Sequence, residues 1–137
     1  MSETVVVDTN VLFSSLVADR SRLREILLVE TDANFFCPRF IFVELFKHKE
    51  RILSATRLTE EDLLEGLNAL LSRIRFIDES TIPLGTWLEA RRLCKTVDEK
   101  DTPFVALAIH LNGQLWTEDT KLKTELRRKG FSQFYSP

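Results

Sequence analysis

The chain has 137 residues, of which 44% are hydrophobic and 29% are charged, and it contains only 4 Gly and 4 Pro. These values predict a globular protein that forms one domain, 1–137, and they exclude a disordered or collagen-like chain. The net charge of −2 argues weakly against a polyanion-binding protein, since such proteins are usually basic, so the distribution of the charges matters more than their sum.

The amino terminus and the two cysteines indicate a cytoplasmic protein. The apolar run at residues 5–7 is too short for a secretory signal, and no run approaches membrane-spanning length, so we expect no membrane contact. Cys37 and Cys94 lie far apart, each beside apolar residues, and no Cys-x-x-Cys spacing suggests zinc or redox chemistry. We therefore expect buried free thiols in a reducing cytosol.

The first part of the chain alternates short apolar runs with helical patterns. Thr4-Val-Val-Val-Asp8 is typical of a short buried strand that ends in a carboxylate, and Leu23, Ile26 and Leu27 share one face of a helical stretch. The predicted elements of this part are a strand at 4–8, a helix from about Asn10, a helix around 23–27, a strand at 34–38 and a helix from about 39 to 53.

Helix signals dominate the second part of the chain. Thr59 is a typical N-cap, Pro103 suits the first turn of a helix, and Gly130 is placed to end one. The apolar stripe of the helix after Thr59 consists of Leu63, Leu67, Leu70, Leu71 and Ile74. The further predicted elements are a strand at 76–77, helices at 84–96 and 102–111, a strand at 114–117, a helix at 120–129 and a last strand at 131–135. Because strands alternate with helices, the predicted fold is α/β, a three-layer α/β/α sandwich with a central, mainly parallel sheet.

Four acidic residues stand where a purely structural carboxylate is unfavourable. They are Asp8 after a strand of valines, Glu44 inside an apolar helix, Asp101 at the start of another helix, and Asp119 just after a strand. Ligands of a doubly wound sheet bind beyond the carboxyl ends of its strands, and a buried carboxylate is costly unless it is paired, hydrogen-bonded or bound to metal. Converging carboxylates favour Mg²⁺ or Mn²⁺, and two such ions can activate water for phosphodiester hydrolysis.

Each of these acids lies in a short motif. The motifs are Val6-Val-Asp8-Thr-Asn10-Val-Leu12, Val43-Glu44-Leu45, Asp98-Glu-Lys-Asp101-Thr-Pro-Phe-Val-Ala-Leu-Ala108 and Thr117-Glu-Asp119-Thr-Lys-Leu122. In this order they resemble the motifs of PIN-domain nucleases, which include VapC-type toxin ribonucleases and related stand-alone PIN proteins, and they span residues 5–122. Glu118 departs from the family pattern, in which a basic or small residue is more usual, and its charge disfavours tight RNA binding.

The resemblance implies a PIN-like nuclease domain that cuts RNA endonucleolytically at an acidic site for Mg²⁺ or Mn²⁺. Carried over by position, the catalytic and metal-binding residues would be Asp8, Glu44, Asp101 and Asp119. The accessory residues would be Asn10, which orients Asp8, Thr117, which hydrogen-bonds within the site, and Asp98, a further acid. The family also implies frequent homodimers and, for many relatives, a toxin held inactive by a small antitoxin protein. The alternative from another class is a catalytically weak PIN-like module that binds RNA or a protein.

Structural interpretations compete with the functional ones. Asp8 and Asp119 are suited to capping helices, since Asp is a preferred N-cap. Asp98 lies in a charged segment that is more often a solvated loop than a ligand cluster. His48 stands one helical turn after the acid of the second motif, yet its charged neighbours favour a surface position. His110, in an apolar helix, is predicted to be a satisfied structural histidine.

Two basic clusters could contact a phosphate backbone. The first consists of Lys121, Lys123, Arg127, Arg128 and Lys129, and the second of Arg39, Lys47, Lys49 and Arg51. Cations near a helix C-terminus also complement the helix dipole, which is an equally good interpretation of the first cluster. The candidate RNA-binding residues are Arg39, Lys47, Lys121, Lys123, Arg127 and Arg128.

The helix that carries the second motif is apolar on every side over residues 40–46. These side chains cannot all face one sheet. We predict that part of this surface meets a second copy of the chain or an antitoxin, and the alternative is an unusually deep core helix.

Overall fold

The computed structural model describes residues 2–17, 22–30, 32–56 and 58–137. In these ranges four strands form one sheet, in the order β3-β2-β1-β4, and every neighbouring pair is parallel. The strands are β1 (Glu3–Val7), β2 (Ala33–Pro38), β3 (Ile74–Ile77) and β4 (Gln114–Trp116). The central sheet is therefore parallel, as predicted, and β1 lies between β2 and β4.

Helices cover both faces of this sheet. Those in the described ranges are α1 (Thr9–Val17), α2 (Arg22–Val29), α3 (Ile41–Lys47), α4 (Lys49–Ala55), α5 (Glu60–Leu71), α6 (Leu84–Cys94), α7 (Thr102–His110) and α8 (Thr120–Arg128), with single 3-10 turns at Glu79–Thr81 and Glu99–Asp101. α1 packs against α2, α4 and α5, whereas α6 packs against α7 and α8. The predicted three-layer α/β/α sandwich is confirmed.

The core is built around β1 and α7. Val5, Val6 and Val7 are fully buried, because a strand with helices on both faces of its sheet has no solvent side. Residues 104–108 of α7 are likewise all buried, and α7 contacts β1, β2 and β4. The absence of a polar stripe in the sequence of α7 follows from this central position.

The helix predicted over residues 39–53 is divided in two at His48. The backbone of His48 has φ −108° and ψ 13°, which is outside the α-helical region, so α3 and α4 are separate helices. α3 buries Ile41 and Glu44, and α4 buries Ile52. The residues before and after His48 therefore belong to two short helices, each with its own buried residues, and not to the one continuous helix that the apolar pattern predicts.

Two other predicted elements differ from the structure. Residues 131–135, predicted as a strand, make only an isolated parallel bridge between Leu115 and Phe134. β4 is three residues long, so it offers a new strand little to pair with. Ile74, predicted on the apolar stripe of α5, is buried at the start of β3 instead, because α5 ends at Leu71.

Several smaller predictions are confirmed. Cys37 and Cys94 are free and buried, and burial raises the pKa of both thiols. Thr59 caps α5, since its Oγ1 accepts a backbone N–H at 3.1 Å. Gly130 follows α8 with φ +101°, a left-handed conformation that favours glycine. Separately from these predictions, the structure contains, over the described ranges, no helix that is long and apolar enough to cross a membrane.

Candidate active site

Two adjacent strands bring the first and last acidic motifs to the carboxyl edge of the sheet. Val7 pairs with Trp116 at the ends of β1 and β4, and the N–H of Asp8 donates to the carbonyl of Trp116 at 3.1 Å. The chain passes from β1 through β2 to β3 on one side of the sheet and then places β4 on the other side of β1. β1 and β4 therefore flank the switch point of the topology, where a ligand crevice is expected.

Asp8 is 3% exposed and has two hydrogen-bond partners. Its Oδ1 accepts the N–H of Val11 at 2.8 Å, and the hydroxyl of Thr117 is the second partner. The pKa of Asp8 is raised to about 6, mainly by burial and further by the charges of Asp119 and Glu118, although the two hydrogen bonds act to lower it. A carboxylate of this kind is held in place by the fold but is not neutralised by it.

Thr117 and Asp119 connect β4 to α8. Thr117 is fully buried, and its Oγ1 accepts the N–H of Asp119 at 3.1 Å. Asp119 is half-buried, and its Oδ1 accepts the N–H of Leu122 at 3.0 Å, so it caps α8 as Asp8 caps α1. The capping interpretation is thus correct for both aspartates. The caps do not remove their charge, so they position the carboxylates without excluding a functional role.

Asp101 lies where the 3-10 turn Glu99–Asp101 meets α7. Its pKa is raised to about 7, first by burial and then by the charges of other acids. These acids are, in order of effect, Asp8, Asp98, Asp119 and Glu44. The charges of Asp8, Asp119 and Glu44, which belong to the other three motifs, therefore act on the region around Asp101.

Glu44 reaches this region from α3 and is 6% exposed. The Nε2 of His48 lies 3.3 Å from its Oε2. The start of α3 is held by Glu79, whose two carboxylate oxygens accept the N–H groups of Arg39 and Phe40, each at 2.9 Å. Sequence reasoning missed Glu79, because a capping acid 39 residues from its partner leaves no local signal.

Two of the predicted accessory residues, Asn10 and Asp98, are exposed and not buried like Thr117. Asn10 is exposed, and in the part of the chain that the structure describes no hydrogen bond joins it to Asp8, whose partners are a backbone N–H and a hydroxyl. Asp98 is also exposed and caps its own 3-10 turn, with Oδ1 accepting a backbone N–H at 3.0 Å. Asp98 still adds to the negative charge around the site.

Several of the candidate RNA-binding cations have partners inside the protein. The contacts are Arg39 with Asp78 at 3.2 Å, Arg128 with Glu125 at 2.9 Å, and Arg127 at 4.9 Å from the ring centre of Phe134. Lys129 donates to two carbonyls of α6 and, at 2.7 Å, to the hydroxyl of Thr96, so it ties α6 to the end of α8. Lys47, Lys121 and Lys123 form no ion pair within the described ranges.

Both histidines differ from their predicted positions. The side chain of His48, predicted at the surface, is only 25% exposed and packs edge-on against Phe13, with the ring centres 5.7 Å apart. His48 stands one turn after the buried Glu44, so its side chain lies on the same, largely buried side of the chain. His110, predicted as a satisfied structural histidine, is exposed in the last turn of α7, since the buried part of α7 ends at Ala108.

The donors gathered at this edge are carboxylate oxygens, which Mg²⁺ and Mn²⁺ prefer. Neither the pKa shift of Asp8 nor that of Asp101 has a Lys or Arg among its causes. Among the described residues, however, no three or more His, Cys, Asp or Glu side chains are already arranged to hold a metal ion. The residues thus fit a divalent cation by donor chemistry and by unrelieved negative charge, not as a ready-made ligand cluster.

The fold is a parallel α/β/α sandwich, and two acids, Asp8 and Asp119, follow the strands that flank its switch point. Residues 6–130 match the model of the PIN domain family, and the chain belongs to that family. PIN domains are generally nucleases, and PIN-domain nucleases generally use divalent metal ions.

Among solved structures, the chain is similar to the crystal structure of VapBC2 from Rickettsia felis, in which VapBC2 is bound to a DNA fragment from its own promoter. The two are 19% identical, and the match has a TM-score of 0.65 and covers 88% of this chain and 92% of that chain. At this identity the likeness shows the fold alone. No curated protein sequence matches the chain.

Proposed function

We propose that this protein is a metal-dependent endoribonuclease that hydrolyses RNA phosphodiester bonds at its four-carboxylate site. The observation that carries the proposal is that Asp8 and Asp119 stand just beyond the paired ends of β1 and β4 and both contact Thr117, and that their charges, after burial, help to raise the pKa of Asp101 to about 7. Buried negative charge without a cationic side chain to offset it is typical of a cation site. RNA as the substrate rests on the resemblance of the four motifs to those of PIN-domain nucleases.

Each residue of the site has a distinct part in this proposal. The residues that would hold Mg²⁺ or Mn²⁺ are Asp8, Glu44, Asp101 and Asp119. When bound, the cation supplies an activated water and stabilises charge on the leaving oxygen. The Thr117 hydroxyl orients the first and last of these acids, since it contacts both Asp8 and the backbone of Asp119. Asp98 and Asn10 stand at the rim of the site.

The proposed RNA path runs beside the acids. Lys47 lies on α3 with Glu44, and Lys121 and Lys123 lie in the first turns of α8, directly after Asp119. Cations in these positions can neutralise phosphates on either side of the bond to be cut. The remaining proposed contacts, Arg39, Arg127 and Arg128, would exchange their present partners for phosphate.

An apolar groove between α3, α4 and α5 offers a surface for a protein partner. Its volume is about 380 Å³, and its walls include Phe42, Phe46, Leu64 and Leu67. Phe46 is 80% exposed and Leu64 is 58% exposed, although exposed apolar surface of this kind is costly in water. We propose that the protein is the toxin of a toxin–antitoxin pair and that an apolar segment of a small antitoxin lies in this groove. The similarity in fold to VapBC2 supports this partner.

The outer side of α3 supports a second association. Val43 is 56% exposed and does not line the groove. We propose that this side of α3 meets a second copy of the chain in a homodimer. The protein would work in the cytoplasm, where its two buried thiols stay reduced.

The second candidate function is a PIN-like module that binds RNA or a protein and cuts weakly or not at all. It is favoured by one observation, that no group of side chains in the described ranges is already arranged around a metal position.

A cleavage assay on mixed RNA decides between the two candidates. The wild type should cut internally with Mn²⁺, excess EDTA should stop it, and Asp8→Asn should lower cleavage by orders of magnitude. Asp62→Asn, which neutralises an exposed acid on α5, is the matched control and should cut like the wild type. RNA binding without cleavage by the wild type would support the second candidate, and cleavage that persists in EDTA would exclude the first.

A further inference from the structure

A histidine outside the four motifs contacts one of the four acids. The Nε2 of His48 lies 3.3 Å from the Oε2 of Glu44, and the two side chains are 25% and 8% exposed. The distance is slightly longer than a well-formed hydrogen bond but short enough for a direct polar contact. Because the Glu44 side chain is buried, a polar partner for its carboxylate lowers the cost of burial.

The backbone places His48 for this contact. His48 stands between α3 and α4, its N–H donates to the carbonyl of Glu44 at 3.1 Å, and its own carbonyl accepts the N–H of Ile52 at 3.0 Å. Backbone hydrogen bonds therefore join His48 to both α3 and α4. Its side chain lies four residues, about one turn, beyond Glu44 on the same side of the chain.

A core aromatic ring fixes the position of the imidazole. Phe13, which is 7% exposed, meets the His48 ring edge-on with an angle of 76° between the planes. Arg51 lies over the same Phe13 ring, with its guanidinium carbon 5.9 Å from the ring centre. Phe13 belongs to α1, the helix that Asp8 caps, so the contact links the first acidic motif to the second.

We propose that His48 is a positioning residue of the acidic site: its Nε2 holds one oxygen of Glu44 and leaves the other oxygen to bind a divalent cation. The inference rests on the proposed metal-dependent function. Carboxylates that bind metals are commonly oriented by an outer polar partner, and loss of that partner typically weakens metal affinity or activity by about 10- to 100-fold. The competing role is a structural one, in which His48 only fills space against Phe13.

Two substitutions separate these roles. His48→Phe keeps a ring against Phe13 and removes the donor, whereas His48→Gln keeps an N–H donor near the position of Nε2 and removes the ring. The control is His110→Phe, which changes the other histidine of the chain at an exposed position on α7. For each protein, calorimetric titration with Mn²⁺ alone gives the dissociation constant, melting in chelator reports the fold, and cleavage is followed as a function of Mn²⁺ concentration.

The positioning role predicts that His48→Phe melts close to the wild type but binds Mn²⁺ at least roughly tenfold more weakly. The Mn²⁺ concentration for half-maximal cleavage should rise by a similar factor. His48→Gln should recover most of the affinity, and His110→Phe should match the wild type. If His48→Phe melts far below the wild type, the smaller His48→Leu takes its place in the comparison.

Wild-type Mn²⁺ affinity in the folded His48→Phe protein would overturn the role of His48, as would an equal loss of affinity in His48→Phe and His48→Gln. Failure of the proposed function looks different. In that case the wild type itself binds no Mn²⁺, and the positioning role is overturned together with the metal site.

Discussion

Gly113 and Thr4 approach so closely that a β-carbon on Gly113 would lie 2.8 Å from the carbonyl oxygen of Thr4 and 2.9 Å from its Cγ2. Gly113 leads into β4 and Thr4 lies in β1, and the residues that follow these two strands are Thr117 and Asp8. The close approach therefore helps to fix the relative position of the strands that carry the acidic site.

Gly113→Ala should destabilise the protein, because the added methyl group meets backbone that cannot move without shifting β1. We expect a loss of about 1–3 kcal/mol in the free energy of unfolding, as for other overpacked sites. Gly66→Ala is the matched control: nothing lies within 4 Å of its added carbon, and Ala is favoured over Gly inside a helix by about 0.5–1 kcal/mol. Urea unfolding of the three proteins measures both effects, and an unchanged stability for Gly113→Ala would contradict the close approach.

Asp119→Asn should leave the metal-free protein as stable as the wild type or more stable. Asn is also a good N-cap, so the bond from the Leu122 N–H is kept while a charge that raises the pKa of Asp8 and Asp101 is removed. The wild type should gain stability from Mn²⁺, by about 2.7 kcal/mol at 100 times the dissociation constant, and the variant should gain less. Thermal melts in chelator and in Mn²⁺ test this. A variant that melts well below the wild type in chelator, together with a wild type that gains nothing from Mn²⁺, would contradict the acidic-site interpretation.

The stability of the metal-free protein should depend on pH through Asp101. Its pKa in the folded protein is about 7, against an ordinary value of 3.8, so between these values the folded protein binds more protons than the unfolded chain. The free energy of unfolding should therefore fall as pH rises, with the contribution of Asp101 complete below an unfolded pKa of about 4 and lost as pH passes through about 7. Urea unfolding in chelator from about pH 5 to about pH 8 should show a smaller fall for Asp101→Asn than for the wild type. The exposed-acid control Asp62→Asn should keep the wild-type slope, and equal slopes for all three proteins would count against the pKa assigned to Asp101.

Glu79→Ala should weaken the start of α3. The substitution leaves the N–H groups of Arg39 and Phe40 without their acceptors, and hydrogen bonds to a charged group contribute about 1.5–3 kcal/mol. We expect a loss of stability of about that size and, because α3 carries Glu44, weaker Mn²⁺ binding in titrations of the folded variant. Glu65→Ala, at an exposed position of α5, should change neither quantity. A Glu79→Ala protein with wild-type stability would show that solvent replaces the cap.

The positions of the acids could be predicted from sequence because the signals around them are local. Asp8 follows a run of valines and Asp119 follows a short strand, so the signal for each lies within a few residues of the acid. Parallel strands place such ends at one edge of a sheet. The capping bonds of Asp8 and Asp119 could be anticipated for the same reason, since an N-cap acts on an N–H two or three residues away.

The tertiary structure decided the features that depend on residues far apart in the chain. The hydrogen bonds that the N–H groups of Arg39 and Phe40 donate to Glu79 span about 40 residues. The edge contact of Phe13 with His48 joins α1 to the residue between α3 and α4. The ammonium group of Lys129 donates to carbonyls of α6. Hydrophobic periodicity describes one helix at a time and cannot show where an apolar helix breaks. The order of strands and motifs along the chain is enough to identify Asp8 and Asp119 as acids that follow strands. Packing between elements decided the burial of the acids and the raised pKa values of Asp8 and Asp101, because both depend on neighbours that only the folded chain brings together.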